Sequence, residues 1–101
     1  MTLPSTALAE HRDELLDLLR SRGVTTAVVF GSTARGEDIE GSDLDVALRL
    51  ADPGDGWDYF RIWGELRDDI ARTLGVPADV VYLDDPGADR VVTDVLPLLP
   101  G

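Results

Sequence analysis

The chain has 101 residues and a net charge of −11, from 20 acidic and 9 basic side chains. A field of this sign repels phosphate backbones and disfavours general binding to DNA or RNA. The absence of cysteine removes disulfides and thiol chemistry, and a single histidine, His11, leaves a hard, oxygen-bound cation such as Mg²⁺ as the expected metal.

The length predicts one domain over residues 1–101. No apolar stretch is long enough to span a membrane, and the N-terminus lacks a basic region followed by an apolar run. We therefore expect a cytoplasmic protein without a secretion signal.

Two elements are predicted before the first glycine-rich stretch. Leucines at helical spacing predict a helix over Pro4–Arg22, with Ser5 or Thr6 as its cap and Gly23 as its stop. β-Branched residues then predict a first strand over Val24–Phe30.

A glycine-rich turn follows this strand directly, with the sequence Gly31-Ser32-Thr33-Ala34-Arg35-Gly36. Gly31 allows a sharp turn, and Ser32 to Gly36 is expected to form the first turn of a short helix. The start of a helix exposes backbone N–H groups and a partial positive charge, which suit phosphate oxygens. Residues Glu37–Gly41 are predicted to form an exposed acidic turn.

A second strand is predicted over Asp43–Leu50 and opens with two aspartates. Because side chains alternate along a strand, Asp43 and Asp45 point to the same face. The apolar residues of the strand fall on the other face, which must be buried: Leu44, Val46, Leu48 and Leu50. The two carboxylates are therefore expected on an open face.

A second long helix is predicted over Trp57–Leu74, with Gly75 as its stop. Its apolar stripe contains Phe60, Trp63, Leu66 or Arg67, Ile70 and Leu74. We interpret its aromatic side chains as core, and Trp57 becomes a candidate for contact with a partner if it is exposed.

The remaining sequence predicts a short strand over Asp79–Leu83, and then a helix that starts at Ala88 and is stopped by Pro97. The alternation of strands and helices predicts an α/β (α+β) fold, with a small mixed sheet and helices packed on one face. The other face of the sheet would stay open and carry the site.

Three aspartates open the predicted strands: Asp43, Asp45 and Asp79. If the strands are neighbours, the carboxylates converge, and like charges about 4 Å apart repel by roughly 4 kcal/mol at an effective dielectric of about 20. Protonation relieves this repulsion, and a divalent cation relieves it better. Asp-x-Asp alone is common surface chemistry, but together with the strand and Gly-Ser turn it indicates nucleotidyl transfer.

The spacing of Gly31-Ser32, ten intervening residues and Asp43-Leu44-Asp45 resembles the signature of the nucleotidyltransferase superfamily with the DNA polymerase β-like fold. The glycine-rich turn and Ser42-Asp43-Leu44-Asp45 resemble its minimal nucleotidyltransferase (MNT) branch. Asp79 matches the third carboxylate of the family, and the resemblance covers roughly residues 24–83.

The resemblance implies a function as well as a fold. Minimal members are often antitoxins that transfer AMP from ATP to a tyrosine of a partner HEPN ribonuclease toxin. By this resemblance Gly31 and Ser32 hold the triphosphate, while Arg35 lies near phosphate or forms a structural salt bridge. The three carboxylates form the metal and catalytic set, in which Asp43 and Asp45 bind Mg²⁺ and Asp79 assists the acceptor hydroxyl.

Two alternative functions remain open. The chain could keep the fold and neutralise its partner by binding alone, which an intact set of three aspartates disfavours. It could also modify a small molecule such as an antibiotic. Longer family members carry a second domain for such an acceptor, and this sequence shows none, so we expect the acceptor to arrive on a partner protein.

Overall fold

The computed structural model describes residues 2–99 and contains a four-stranded mixed sheet. Its strands are β1 (Val24–Phe30), β2 (Leu44–Leu50), β3 (Ala78–Tyr82) and β4 (Leu96–Leu99), arranged in the order β3-β2-β1-β4. β1 pairs antiparallel with β2 and β4, whereas β2 and β3 are parallel.

Five helices accompany the sheet within the described residues: α1 (Pro4–Glu10), α2 (Arg12–Ser21), α3 (Gly31–Ala34), α4 (Trp57–Leu74) and α5 (Ala88–Val91). α1, α2 and α4 share one hydrophobic cluster with the sheet, which confirms the predicted mixed sheet with helices on one face. None of these helices combines the length and the apolar character that crossing a bilayer requires.

The core forms where the apolar row of β2 meets the long helices. All four residues of that row are buried, as predicted: Leu44, Val46, Leu48 and Leu50. They pack with fully buried side chains of α2 and α4: Leu15, Leu19, Leu66 and Ile70. Burial of side chains of this size stabilises the fold by roughly 1.5–3 kcal/mol each, so this row fixes which face of β2 is turned outward.

The N-terminal segment differs from the single capped helix that we predicted. His11, with φ −119° and ψ 23°, separates α1 from α2. Pro4 is the first helical residue, where its fixed φ suits a helix start, so neither Ser5 nor Thr6 can be the cap. Instead, the Ser5 backbone N–H donates a 2.8 Å hydrogen bond to the Asp38 carboxylate.

The C-terminal segment also corrects a prediction. The expected helix from Ala88 onward is only α5, and β4 follows it as an edge strand paired with β1. Pro97 lies inside β4, which is tolerated because an edge strand does not need every backbone N–H for the ladder. The helix ends at Val91, well before Pro97, so the proline is not what stops it, and it does not prevent a strand.

Helix α4 has its predicted bounds, but its aromatic residues are not all core. Leu66, Ile70 and Leu74 are buried, whereas the prediction that Phe60 belongs to the core is wrong, because 66% of its surface is exposed. Trp63 is half-buried and donates a 2.8 Å hydrogen bond from its indole N–H to the Val80 carbonyl oxygen.

The second face of the sheet is only partly open. Ala47 is fully buried, because it lies in register between the larger Val28 and Val81 of the neighbouring strands. Asp45, two residues before it, is half-buried, and Arg49, two residues after it, is exposed. Polar groups are therefore presented at the two ends of β2 rather than along its whole face.

Candidate active site

The turn after β1 begins at Gly31, whose φ of +72° lies in the left-handed region that favours glycine. The four residues from Gly31 form α3, which starts one residue earlier than predicted. The turn is closed by backbone hydrogen bonds from the Arg35 N–H to the Gly31 oxygen (3.2 Å) and from the Glu37 N–H to the Ser32 oxygen (2.8 Å).

Gly31 also lies against a carboxylate of the adjacent strand. Phe30 pairs with Asp45, so the residue after Phe30 reaches the Asp45 side chain. A β-carbon added to Gly31 would clash with Asp45 Oδ2 and lie 3.3 Å from Cγ. A larger residue at this position would therefore force the Asp45 carboxylate to turn away from the glycine turn.

The three predicted aspartates come from two neighbouring strands and the residue before one of them. Asp45 and Asp79 are register partners in the parallel pair of β2 and β3. Asp43 was predicted to open the strand but lies just before it, because β2 starts at Leu44, and it is exposed. β3 likewise starts at Ala78, one residue before Asp79.

The pKa of Asp45 is changed by the neighbouring aspartates. Burial raises its pKa above the ordinary value of 3.8, and the charges of Asp79 and then Asp43 raise it further, while Arg35 lowers it. The charges of both neighbouring aspartates therefore act on Asp45, which is half-buried.

The carboxylates are close but do not converge on one point. Asp79 Oδ1 accepts a 3.0 Å hydrogen bond from the Val80 backbone N–H. Within residues 2–99, no three His, Cys, Asp or Glu side chains are arranged so that they could hold a metal ion as they stand. The hydrogen bond from Val80 uses one oxygen of the Asp79 carboxylate and leaves the other available for a ligand.

The donor set nevertheless fits a magnesium ion in its chemistry. It consists of carboxylate oxygens, which are the protein ligands that Mg²⁺ prefers. A bound cation would offset the repulsion that Asp79 and Asp43 exert on Asp45. Thr33, on the adjacent turn, is buried, and its hydroxyl oxygen has no hydrogen-bond partner in the described part of the chain. Such a buried polar atom is normally satisfied by a water or a ligand.

Ser32 and Arg35 occupy the turn with different surroundings. Ser32 is half-buried beside Gly31. The Arg35 guanidinium forms a salt bridge with Glu37, with 3.2 Å between Nε and Oε2, and both side chains are largely exposed. Arg35 thus forms the salt bridge that was one of our two interpretations, while its charge still reaches Asp45.

The loop between the turn and the aspartates contains anchors that the sequence analysis missed. Asp38 was assigned to an exposed turn, but it is half-buried, and its hydrogen bonds from Ser5, first the backbone N–H, lower its pKa. The Ser42 hydroxyl accepts a 3.1 Å hydrogen bond from the Ile39 N–H. Ser42, directly before Asp43, is the one residue whose type could have indicated such a hydrogen bond from the sequence.

Comparison with known proteins agrees with this geometry. The family model for the nucleotidyltransferase domain matches residues 8–96. A curated protein of Methanocaldococcus jannaschii, provisionally named a protein adenylyltransferase, is 30% identical over 74 residues, which are 73% of this chain and 78% of the relative.

Two solved structures are similar over most of their length. One is a toxin–antitoxin crystal structure with AMP-PNP, with a TM-score of 0.70, 27% identity, and coverage of 86% of this chain and 71% of that chain. The other is provisionally described as a minimal nucleotidyltransferase, with a TM-score of 0.69, 30% identity, and coverage of 89% and 91%. The extent of the family match shows that this chain belongs to the nucleotidyltransferase domain family.

Proposed function

We propose that this chain is a Mg²⁺-dependent nucleotidyltransferase that moves AMP from ATP to a tyrosine hydroxyl of a partner HEPN toxin and thereby acts as its antitoxin. The observation that carries the proposal is the packing of Asp45, which lies against the glycine turn on one side and in register with Asp79 on the other. A phosphate-binding turn and a set of carboxylates next to each other are what nucleotidyl transfer requires.

Each site residue has a role in this proposal. Gly31 and Ser32 bind the triphosphate. Arg35 contacts the phosphates after it gives up its exposed salt bridge with Glu37. Asp43 and Asp45, with Asp79 as the third carboxylate, would hold Mg²⁺. A bound magnesium ion neutralises negative charge on phosphate oxygens.

The acceptor chemistry falls to Asp79. The acceptor oxygen attacks the α-phosphorus of ATP, and the bond from that phosphorus to the bridging oxygen of pyrophosphate breaks. The hydroxyl proton goes to Asp79, whose exposed position lets an acceptor approach from outside the sheet. The products are the AMP ester of the acceptor and pyrophosphate.

The partner is inferred from the similar proteins and the family resemblance. The toxin–antitoxin structure that resembles this chain holds an ATP analogue, and the Methanocaldococcus relative is named for adenylyl transfer to protein. The HEPN class and the tyrosine acceptor come from the resemblance to MNT antitoxins. A hydroxyl on a partner protein also suits an acceptor site at the exposed end of two strands.

The test is an intact-mass measurement on the chain mixed with a HEPN protein from the same genome, Mg²⁺ and each nucleoside triphosphate in turn. We expect a gain of one or more AMP units on the HEPN protein with ATP. Asp43→Asn should reduce the rate by at least about 100-fold, because a metal ligand is lost. Asp13→Asn, which removes an exposed helical carboxylate, should transfer AMP at the wild-type rate.

The remaining outcomes separate the alternatives. A stable complex that gains no mass with any nucleotide would establish an antitoxin that works by binding alone. Transfer to a small-molecule hydroxyl, with the HEPN protein unmodified, would establish a small-molecule nucleotidyltransferase instead.

A further inference from the structure

An exposed aromatic surface lies at the start of α4, outside the candidate active site. Trp57 is 89% exposed and Phe60, one helical turn later, is 66% exposed. Large aromatic side chains at this exposure are uncommon on a protein that has no partner, and aromatic residues dominate the energetics of protein interfaces. Trp57 therefore meets the condition that makes it a candidate for partner contact.

Phe60 borders a cleft of about 240 Å³. We call this the aromatic cleft, which is lined by Tyr59, Phe60, Trp63, Tyr82 and Asp85. The centre of the Tyr59 ring lies 5.6 Å from that of Phe60 in an edge-on arrangement and 4.6 Å from that of Tyr82, so three of the lining rings contact one another. The cleft is smaller than the roughly 300–1,000 Å³ typical of small-ligand sites, which favours a single side chain as its occupant.

One carboxylate in the cleft has a neutral partner. Asp85 accepts a hydrogen bond from the Tyr59 hydroxyl, whose pKa is raised first by burial and then by this bond, so the hydroxyl stays a donor. The neighbouring carboxylates are paired with cations, Asp84 with Arg49 and Asp58 with Arg61. Among the described residues, no cationic side chain forms a salt bridge with Asp85.

Aromatic walls around an unneutralised carboxylate suit a guanidinium group. Arginine stacks on aromatic rings and pairs with a carboxylate through its planar donors, and it is enriched at interfaces. The same kind of contact already exists beside the cleft, where the Arg67 guanidinium lies 4.8 Å from the centre of the Trp63 ring. A net charge of −11 favours a basic partner and opposes a second copy of this chain.

The cleft and the candidate active site lie on opposite faces of the sheet, because Tyr82 and Asp79 are an odd number of residues apart on β3, and both lie at its β3 edge. Tyr82 pairs with Leu48, three residues along the strands from the pair of Asp45 and Asp79, which is roughly 10 Å at about 3.3 Å per residue. The turn after β3 joins the two surfaces, because Asp84 binds Arg49 on the site face while the next residue, Asp85, lies in the cleft. A partner that wraps around this edge with a standard interface, about 800 Å² on each protein, would contact both surfaces.

We propose that the aromatic cleft receives an arginine side chain of the protein that carries the acceptor hydroxyl, and so docks that protein at the β3 edge of the sheet, on the other face of which the active site lies. The inference rests on the proposed function for the identity of the partner. It adds a docking surface that is separate from the residues that bind nucleotide.

The experiment measures affinity for the same HEPN protein by isothermal titration calorimetry, in the wild type and three variants. Phe60→Ala should weaken binding about 30-fold, or roughly 2 kcal/mol, as for a truncated aromatic hot spot. Asp85→Asn, which keeps an acceptor for the Tyr59 hydroxyl, should weaken it about 10-fold. Leu96→Ala, which truncates an exposed apolar residue on the opposite edge strand, should change it less than about twofold.

A second readout locates the contact directly. Trp57 and Trp63 are the two tryptophans of the chain. Fluorine-labelled tryptophan therefore gives one ¹⁹F resonance from the first residue of α4 and one from the wall of the cleft. Both resonances should shift on complex formation, and ATP affinity should stay at the wild-type value in all three variants. Unshifted resonances in a formed complex would place the interface elsewhere.

Each of the other possible results refutes a particular part of the proposal. Wild-type affinity in Phe60→Ala refutes the docking surface, and a loss in Phe60→Ala without one in Asp85→Asn refutes arginine as the occupant. A wild-type dimer that Phe60→Ala dissociates shows that a second copy is the occupant. A complex that forms through the cleft without AMP transfer refutes the proposed function alone, and no complex with the wild type refutes both.

Discussion

Acidic residues lie at both ends of the paired strands β2 and β3, and the surroundings of the carboxylates differ between the two ends. At the end where the strands begin, Asp45 and Asp79 lie in register, and burial and repulsion raise the pKa of Asp45. At the far end, Asp84 lies 2.9 Å from Arg49, and Asp85 accepts a hydrogen bond from Tyr59. At the far end Asp84 is therefore neutralised within the chain and Asp85 has a neutral hydrogen-bond partner, whereas at the near end Asp45 and Asp79 repel each other.

This contrast has a local structural cause. The far end is followed by a turn whose consecutive aspartates reach one residue on the sheet and one on α4. The near end faces the glycine turn, where Gly31 provides space but no side chain. The proposed binding of phosphate and a cation needs this space, and the Arg35 guanidinium forms its salt bridge with Glu37 rather than with Asp45.

The largest expected effect comes from filling that space. Gly31→Ala should destabilise the fold by roughly 1–2 kcal/mol through its left-handed backbone, and by roughly another 1 kcal/mol because the Asp45 side chain must rotate away from the added methyl group. Gly36→Ala is the matched control, because Gly36 has the same φ of +72° but nothing within 4 Å of an added β-carbon. Urea unfolding at neutral pH measures both, and equal losses would show that the approach of Asp45 to the turn is unimportant.

The sequence predicts the parts of this contrast that depend on local pattern. β1 and α4 have their expected bounds because β-branched residues and a helical apolar stripe identify them without tertiary information. The glycine turn and Asp-x-Asp indicate a site because their chemistry is unusual at that spacing. The buried row of β2 follows from simple alternation.

The remaining features depend on contacts between distant residues. β4 could not be recognised, because Pro97 breaks a local strand pattern and only pairing with β1 explains its place at the edge. The contact between Ser5 and Asp38 joins residues 33 apart in sequence. The exposure of Phe60 depends on how α4 is rotated about its axis against the sheet. The apolar stripe does not fix this rotation closely enough to show whether a residue at its edge is buried.

A pair of Asp→Asn substitutions should change stability with opposite sign at the two ends. Asp45→Asn removes a repelled charge and should stabilise the protein by roughly 0.5 kcal/mol in EDTA, whereas Asp84→Asn breaks an exposed ion pair and should destabilise it by roughly the same amount. Urea unfolding at pH 7 and low salt measures both. A loss of stability in both variants would mean that the near end is already compensated within the chain.

Magnesium should then reverse the order at the near end. If Mg²⁺ binds the folded carboxylates, the wild type gains stability by mass action as the ion concentration passes the dissociation constant. Asp45→Asn should gain much less, while Asp84→Asn should gain as much as the wild type. Equal gains in all three proteins would place the ion elsewhere.

The smallest expected effect is the acid response of Asp38, which anchors the loop between the turn and the aspartates. Its folded pKa is lowered from 3.8, mainly by the Ser5 N–H, so its charge stabilises the fold above about pH 4–5, and this contribution is lost as the pH falls through the lower, folded pKa. Asp38→Asn keeps an acceptor for Ser5 but loses the charge, so it should be less stable than the wild type by about 0.3 kcal/mol at pH 7. The difference should vanish once the pH lies well below the folded pKa of Asp38. Urea unfolding across this range measures it, and a difference that grows on acidification would show that the Asp38 carboxylate, like that of Asp45, is repelled rather than bound in the folded state.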